Sequence, residues 1–232
     1  MNTESKREKT LLSWSSGKDS AWSLHVLRAN PEFEIAGLFT TVNEEYGRVS
    51  MHGTSLPMLA RQAKAVGLPL HTIPLPNPCP MEKYSAAMRR FVETCIADGI
   101  EYMAFGDLFL TEIRDYREKQ LEGTGIAPLF PLWGKPTDRL AEEMLSGGLR
   151  AYVSSVDLKK LPARFVGREW SRELLAELPD GCDPCGENGE IHTVVTGGPM
   201  FRERIQARVG EIVERDGFAY ADIVSMNPEA NP

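Results

Sequence analysis

The chain is predicted to be α/β: a mostly parallel sheet with helices on both faces, followed by a smaller α+β part. Three observations carry this. Strand-like and helix-like segments alternate through the first half, which is the spacing of βαβ units. A Ser/Gly turn joins the first strand to the first helix, Ser15-Ser16-Gly17-Lys18-Asp19-Ser20. The rhythm changes after about Gly125, where Pro128, Pro131, Trp133 and Pro136 punctuate a turn-rich passage.

The elements follow in order. Thr10–Ser15 reads as a short buried strand, and Asp19–Asn30 has helical spacing, with Pro31 just past its end. Glu34–Val42 is a second strand. Ser55–Val66 is a helix stopped by Gly67 and Pro69, and Leu70–Pro74 is a third strand. Glu82–Asp98 carries Met88, Phe91, Val92 and Cys95 on one helical stripe and stops at Gly99. Tyr102–Phe105 is a fourth strand closed by Gly106-Asp107, and Glu112–Leu121 is helical. Beyond residue 125, Thr137–Ser146 is helical, Ala151–Val156 a strand and Ser171–Leu178 a short helix. Asp180–Glu190 is dense in Gly, Cys, Asp, Pro and Glu, hence a loop. Ile205–Arg215 and Phe218–Met226 form a hairpin through Asp216-Gly217. The expected division is therefore 1–125 and 126–232, with a frayed tail at Asn227–Pro232.

Composition narrows the function classes. The 232 residues hold 26 Lys+Arg against 33 Asp+Glu, a net charge of -7, which argues against a nucleic-acid surface. With 42% hydrophobic residues there is material for a core without disulfides or structural metals. The start, Met1–Thr10, is polar, so a secretory signal is not expected, and no apolar run reaches the ~20 residues of a membrane span. Cys79, Cys95, Cys182 and Cys185 do not make a disulfide framework, and one Cys-x-x-Cys pair is too few for a structural zinc site. A reduced, cytoplasmic protein is the expectation.

In parallel sheets ligands sit outside the carboxyl ends of the strands, so the loops there hold the candidate chemistry. At Ser15–Ser20 small residues let backbone N–H groups converge on a phosphate, and the helix dipole adds attraction. Ser15 and Ser20 offer hydroxyls, Lys18 a point charge and Asp19 an oxygen ligand for Mg²⁺; a merely well-capped turn is the plainer alternative. A Walker A loop needs a Gly where Leu12 stands and Ser or Thr where Asp19 stands. The Gly-x-Gly-x-x-Gly dinucleotide fingerprint is absent after the first strand. Gly106 and Asp107 end the fourth strand and face the same crevice. Arg114 and Arg117, just beyond, suit a phosphate or a substrate carboxylate, or a solvated helix face.

The loop resembles the pyrophosphate-binding Ser-Gly-Gly-x-Asp-Ser loop of the N-type ATP pyrophosphatases, with Ser16 in place of the first Gly. That resemblance implies a Rossmann-like fold of the adenine nucleotide alpha-hydrolase kind. A second block narrows it: Cys182-Asp-Pro-Cys-Gly-Glu-Asn-Gly-Glu-Ile-His-Thr193. With Met51-His52-Gly53, Phe105-Gly106-Asp107 and Pro131-Leu132-Trp133 it resembles the diphthine–ammonia ligase family, from about Leu11 to Pro199. Asn188 and His192 depart from the usual Gly-Glu-Gly-Gly-Glu-Tyr/Phe-Glu-Thr, which points to a related branch acting on a different acid.

The resemblance implies an AMP-forming ligase using ATP and Mg²⁺. A small-molecule or protein carboxylate attacks the α-phosphate, pyrophosphate leaves, and ammonia or another amine displaces AMP. It assigns Ser15, Ser16, Gly17, Lys18, Asp19 and Ser20 to the phosphates and Mg²⁺, and Thr40 and Thr41, with Gly106, to the nucleotide. Asp107 orients ATP or metal. Glu187 and Glu190 bind the amine or act as its base, and His52, Asn188 and His192 join them around the substrate. The competing readings are a tRNA-modifying enzyme of the same superfamily and a non-catalytic ATP-binding sensor. No membrane partner is expected, and the C-terminal hairpin offers an edge for pairing with a second copy.

Overall fold

A computed structural model describes residues 6–49 and 53–226. His52 and the tail 227–232 therefore lie outside the described residues. Among these, a six-stranded sheet holds β1 (Glu8–Ser13), β2 (Phe33–Asn43), β3 (Arg48–Val49), β4 (Leu70–Leu75), β5 (Tyr102–Ala104) and β6 (Ala127–Leu129). The order β4-β2-β1-β5-β6 is parallel throughout, and β3 pairs antiparallel with the end of β2. This is the strand order of a doubly wound sheet, in which the connections reverse direction between β1 and β5.

The helices between these strands are α1 (Lys18–Ala29), α2 (Leu56–Val66), α3 (Met81–Ala97) and α4 (Thr111–Leu121). Helix α2 buries Met58, Leu59, Gln62, Ala63, Ala65 and Val66 along one stripe. It ends where Gly67 adopts φ 70° and donates to the carbonyls of Ala63 and Lys64, a conformation only glycine takes without strain. Alternation along β5 assigns the two faces of the sheet. Ala104 packs with Leu12, Trp14 and Trp22, while Met103 and Phe105 pack with Val92 and Leu121. Helices α1 and α4 thus leave on opposite faces, and a crevice opens above the ends of β1 and β5.

After α5 (Thr137–Ser146) comes a four-stranded antiparallel sheet, ordered β8-β7-β10-β9. It comprises β7 (Arg150–Asp157), β8 (Ile191–Gly197), β9 (Ala207–Arg215) and β10 (Phe218–Ser225), with α6 (Arg172–Ala176) between β7 and β8. The hairpin turn has φ of 55° at Asp216 and 82° at Gly217, the positive pair that matches strand twist.

Three strands were not expected from sequence. β3 is two residues long, β6 carries Pro128, and β8 is hidden behind the Gly- and Cys-rich loop that precedes it. β6 lies past residue 125 and still completes the first sheet. One apolar cluster joins Leu12, Trp14 and Leu59 to Val153, Val195 and Ala219 of the second sheet. The halves differ in architecture and share a core.

The edge strand β8 docks directly on the first loop. Val195 N–H donates to the Ser16 carbonyl at 2.9 Å. Gln62 Nε2 donates to the carbonyls of Ser16 and Val195 at 3.0 and 2.7 Å. A wholly buried Gln at a core position of α2 is placed to serve both.

Candidate active site

The crevice at the switch between β1 and β5 has a volume of about 190 Å³. Ser15, Gly17, Lys18, Asp19 and Ser20 line it from the first loop, Gly106 and Asp107 from the end of β5, and Glu187 and His192 from the second part. Residues up to 177 positions apart thus meet, because β8 and the loop before it lie against the N-terminus of α1.

Two glycines permit that approach. A Cβ on Gly106 would sit 3.0 Å from Ser20 N and 3.1 Å from the Asp19 carbonyl carbon. A Cβ on Gly17 would sit 3.2 Å from the Thr193 carbonyl oxygen. Helix α1 starts at Gly17 without a side-chain cap, which leaves its first-turn dipole directed at the crevice. Ser15 Oγ lies 3.2 Å from Ser20 Oγ, and the Lys18 N–H donates to Thr193 Oγ1 at 3.1 Å.

Ser16 adopts φ 73°, the left-handed conformation that costs a non-glycine residue about 1–2 kcal/mol. Its hydroxyl offsets this by bonding Thr54 Oγ1 at 2.5 Å in the interior. Ser16→Gly relieves the backbone and loses that bond, so its stability is expected within about 1 kcal/mol of the parent. Ser16→Ala keeps the strain and orphans Thr54, for an expected loss of about 1–3 kcal/mol. Urea unfolding checks the order; Ala as stable as Gly would contradict it.

Lys18 is 2% exposed. Its ammonium bonds Asp19 Oδ1 at 3.0 Å and Oδ2 at 2.8 Å, donates to the Cys185 carbonyl, and lies 5.6 Å from the Trp170 ring centre. The side chain expected to reach a phosphate is thus a clasp between the first loop and the segment before β8. Burial raises the Asp19 carboxyl above its ordinary range, and Lys18 opposes the rise. Burial likewise raises Asp107, against Arg117, whose Nε lies 3.7 Å from Asp107 Oδ2.

Glu187 reaches across from the second part and accepts from the Leu108 N–H at 2.7 Å. Burial pushes its carboxyl up to about 7; the Leu108 bond opposes this, and the Asp19 charge adds to it. His192 is held down to about 4, by burial first and then by the Lys18 charge, so its imidazole is neutral at pH 7. Cys185 is pushed up to about 12 by burial and is no nucleophile at neutral pH.

Other expected site residues stand elsewhere. Thr40 and Thr41 lie inside β2 opposite Thr72 and Ile73, because β2 runs on to Asn43. They do not line the crevice. Glu190 is 4% exposed; its Oε1 accepts from the Asp183 N–H and from Asn188 Nδ2 at 3.3 and 3.1 Å. Glu190 and Asn188 thus brace the loop that presents Glu187, which hangs from Asp183 Oδ2 by its own N–H at 2.7 Å. Thr193, Trp170 and Asp183 carry this support. Asp183 and Thr193 lie in the Cys182–Thr193 block, whereas Trp170 has no local sequence signal, since it acts on Lys18, 152 positions away. Among the described residues no group of three or more His, Cys, Asp or Glu is placed to hold a metal ion, and no helix is long and apolar enough to cross a membrane.

Comparison with known proteins adds to this geometry. The family model of the diphthamide synthase N-terminal domain matches residues 8–128, and that of the diphthamide synthase C-terminal domain matches residues 136–226. Among curated proteins, diphthine–ammonia ligase of Schizosaccharomyces pombe is 30% identical over 124 residues, 50% of this chain and 20% of that protein. The Bos taurus and Homo sapiens proteins of the same name are each 28% identical over 123 residues, 49% of this chain and 46% of theirs. The matched segment is thus less than half the length of these relatives.

Proposed function

Because the chain belongs to the diphthamide synthase family, we propose that it is an ATP-dependent ligase that converts a carboxylate to an amide with release of AMP and pyrophosphate. A carboxylate is a poor acyl donor because oxide leaves badly. Adenylylation supplies a good leaving group, and the protein's task is positioning and charge neutralisation.

The observation that carries the reading is the bond from Leu108 N–H to Glu187. It sets a carboxyl titrating near 7 beside the start of α1. In this reading residues 1–125 supply the nucleotide half, and 126–232 the half that brings Glu187 and His192 to the reacting groups. The N–H groups of Asp19 and Ser20 and the hydroxyls of Ser15 and Ser20 hold the β- and γ-phosphates. Asp19 and Asp107 would offer oxygens to Mg²⁺, which would supply charge neutralisation for the phosphates. Glu187 takes a proton from the incoming ammonium or amine, for which a carboxyl near 7 is well matched. His192, neutral at working pH, offers a hydrogen bond to the acyl group. A cytoplasmic setting suits the four free cysteines.

The test supplies purified protein with ATP, Mg²⁺, ammonium and a fractionated metabolite extract, and identifies the adenine product. AMP and pyrophosphate are expected in a fraction-dependent way. Asp19→Asn is expected to lower the rate by about a hundredfold or more, the scale of losing one pre-placed charge in a water-poor site. ADP as the product would overturn the proposal.

A further inference from the structure

A second cavity of about 240 Å³ lies between α3 and α4 and shares two walls, Phe105 and Arg117, with the crevice. Its floor is apolar: Met88, Val92, Met103, Phe105 and Leu121. Its charged lining is Arg89, Arg117 and Lys119, and among the described residues that line it there is no Asp or Glu. In a chain of net charge -7 an all-cationic rim above an apolar floor is a selective feature, and it matches an organic anion with an apolar body.

Arg117 sits where that anion would meet the crevice. Its guanidinium carbon lies over the Phe105 ring, 4.9 Å from the ring centre. Its Nε is buried and makes no hydrogen bond, and Asp107 Oδ2 facing it across 3.7 Å is likewise unbonded. A planar guanidinium whose Nε makes no hydrogen bond suits a carboxylate, which a guanidinium can bind in two-pronged fashion. Helix α4 presents Arg117 cheaply, since Leu121 is its one buried side chain.

We propose that this cavity is the acid subsite. It takes a carboxylic acid with an apolar body, seats the body on Met88, Val92 and Met103, and presents the carboxylate through Arg117 to the crevice. The binding claim stands on the cavity; only the fate of the carboxylate rests on the proposed ligase reaction.

The experiment measures calorimetric binding of butyrate and 3-phenylpropionate, with 3-phenylpropionamide as the neutral control, to the whole chain without ATP. Failure here is therefore separate from failure to form AMP. The larger acid is expected to bind more tightly than butyrate, and its amide at least tenfold more weakly than the acid. Arg117→Gln is expected to bring acid and amide level. Met88→Trp, which fills the cavity, is expected to abolish binding of both while ATP binding persists. Thermal unfolding of each variant separates lost binding from lost fold, and either variant alone decides the point. Equal affinity for acid and amide, no binding by either acid, or binding untouched by a folded variant would overturn the proposal. Displacement of the acid by equimolar inorganic phosphate would overturn it too, reassigning the cavity to phosphate.

Discussion

Lys18→Met is expected to lower stability by about 3 kcal/mol, the lower end of the cost of removing one partner of a buried ion pair. Methionine keeps the length and apolar stem of the side chain. It leaves the Asp19 carboxylate without its two hydrogen bonds and the Cys185 carbonyl without its donor. The lower end applies because about a quarter of the Asp19 side chain remains open to the crevice and can be partly hydrated. Part of the loss should return in Lys18→Met/Asp19→Asn, where no unpaired charge is left. Urea unfolding of the parent, the two single variants and the double variant measures the coupling. A single-variant loss below about 1 kcal/mol would mean that the clasp contributes no more than a surface pair. The larger consequence is organisational: Lys18 and Cys185 are 167 residues apart, so the same change should loosen the loop that carries Glu187.

The second large effect is a pair of opposed pH dependences. Glu187 titrates at about 7 in the folded protein against an ordinary 4.5, so between these values the folded state binds more protons than the unfolded one. Its contribution is complete below pH 4.5 and is lost as pH rises towards 7. His192 titrates at about 4 against an ordinary 6.5, so the unfolded state binds more protons in that window. Its contribution is complete above pH 6.5 and is lost as pH falls towards 4. Each shift corresponds to about 3 kcal/mol at most. In the parent the two slopes largely cancel.

Glu187→Gln keeps an oxygen for the Leu108 N–H and removes the first slope. It is expected to gain on the parent by up to about 3 kcal/mol as pH rises from 4.5 to 7. His192→Gln is expected to gain on the parent by a similar amount as pH falls from 6.5 to 4. Unfolding free energies at pH 4.5, 5.5, 6.5 and 7.5 check both. Differences from the parent that stay constant with pH would remove Glu187 and His192 as buried titrating groups. In turnover, Glu187→Gln should lack the rate increase centred near pH 7 that a base at this position provides.

Legibility from sequence varied with the range of the physics involved. The Asp216-Gly217 turn was readable because a two-residue hairpin needs positive φ at both positions, a purely local demand. The crevice loops were readable because strand–helix alternation implies parallel pairing, and parallel sheets place ligands at the carboxyl ends. Thr40 and Thr41 stand inside β2 rather than at its end because that end is set by pairing with β3 and β4, not by its own residues. The burial of Glu190 was not legible because nothing local tells a carboxylate facing solvent from one folded under its own loop.

The amino-acid sequence by itself therefore determined the class of fold, the position of the loop before α1, and the family to which the chain belongs. These depend on hydrophobic period, turn residues and short motifs, each spanning a few neighbours in the chain. Tertiary structure alone decided which of Glu187 and Glu190 enters the crevice, that Lys18 is a clasp, and that Arg117 stands between two cavities. Those outcomes depend on the docking of β8 against Ser16 and on the packing of α4 over Phe105. Desolvation and partner choice there are set by residues as far apart as Ser16 and Val195, and burial is a property of the assembled chain rather than of any segment of it.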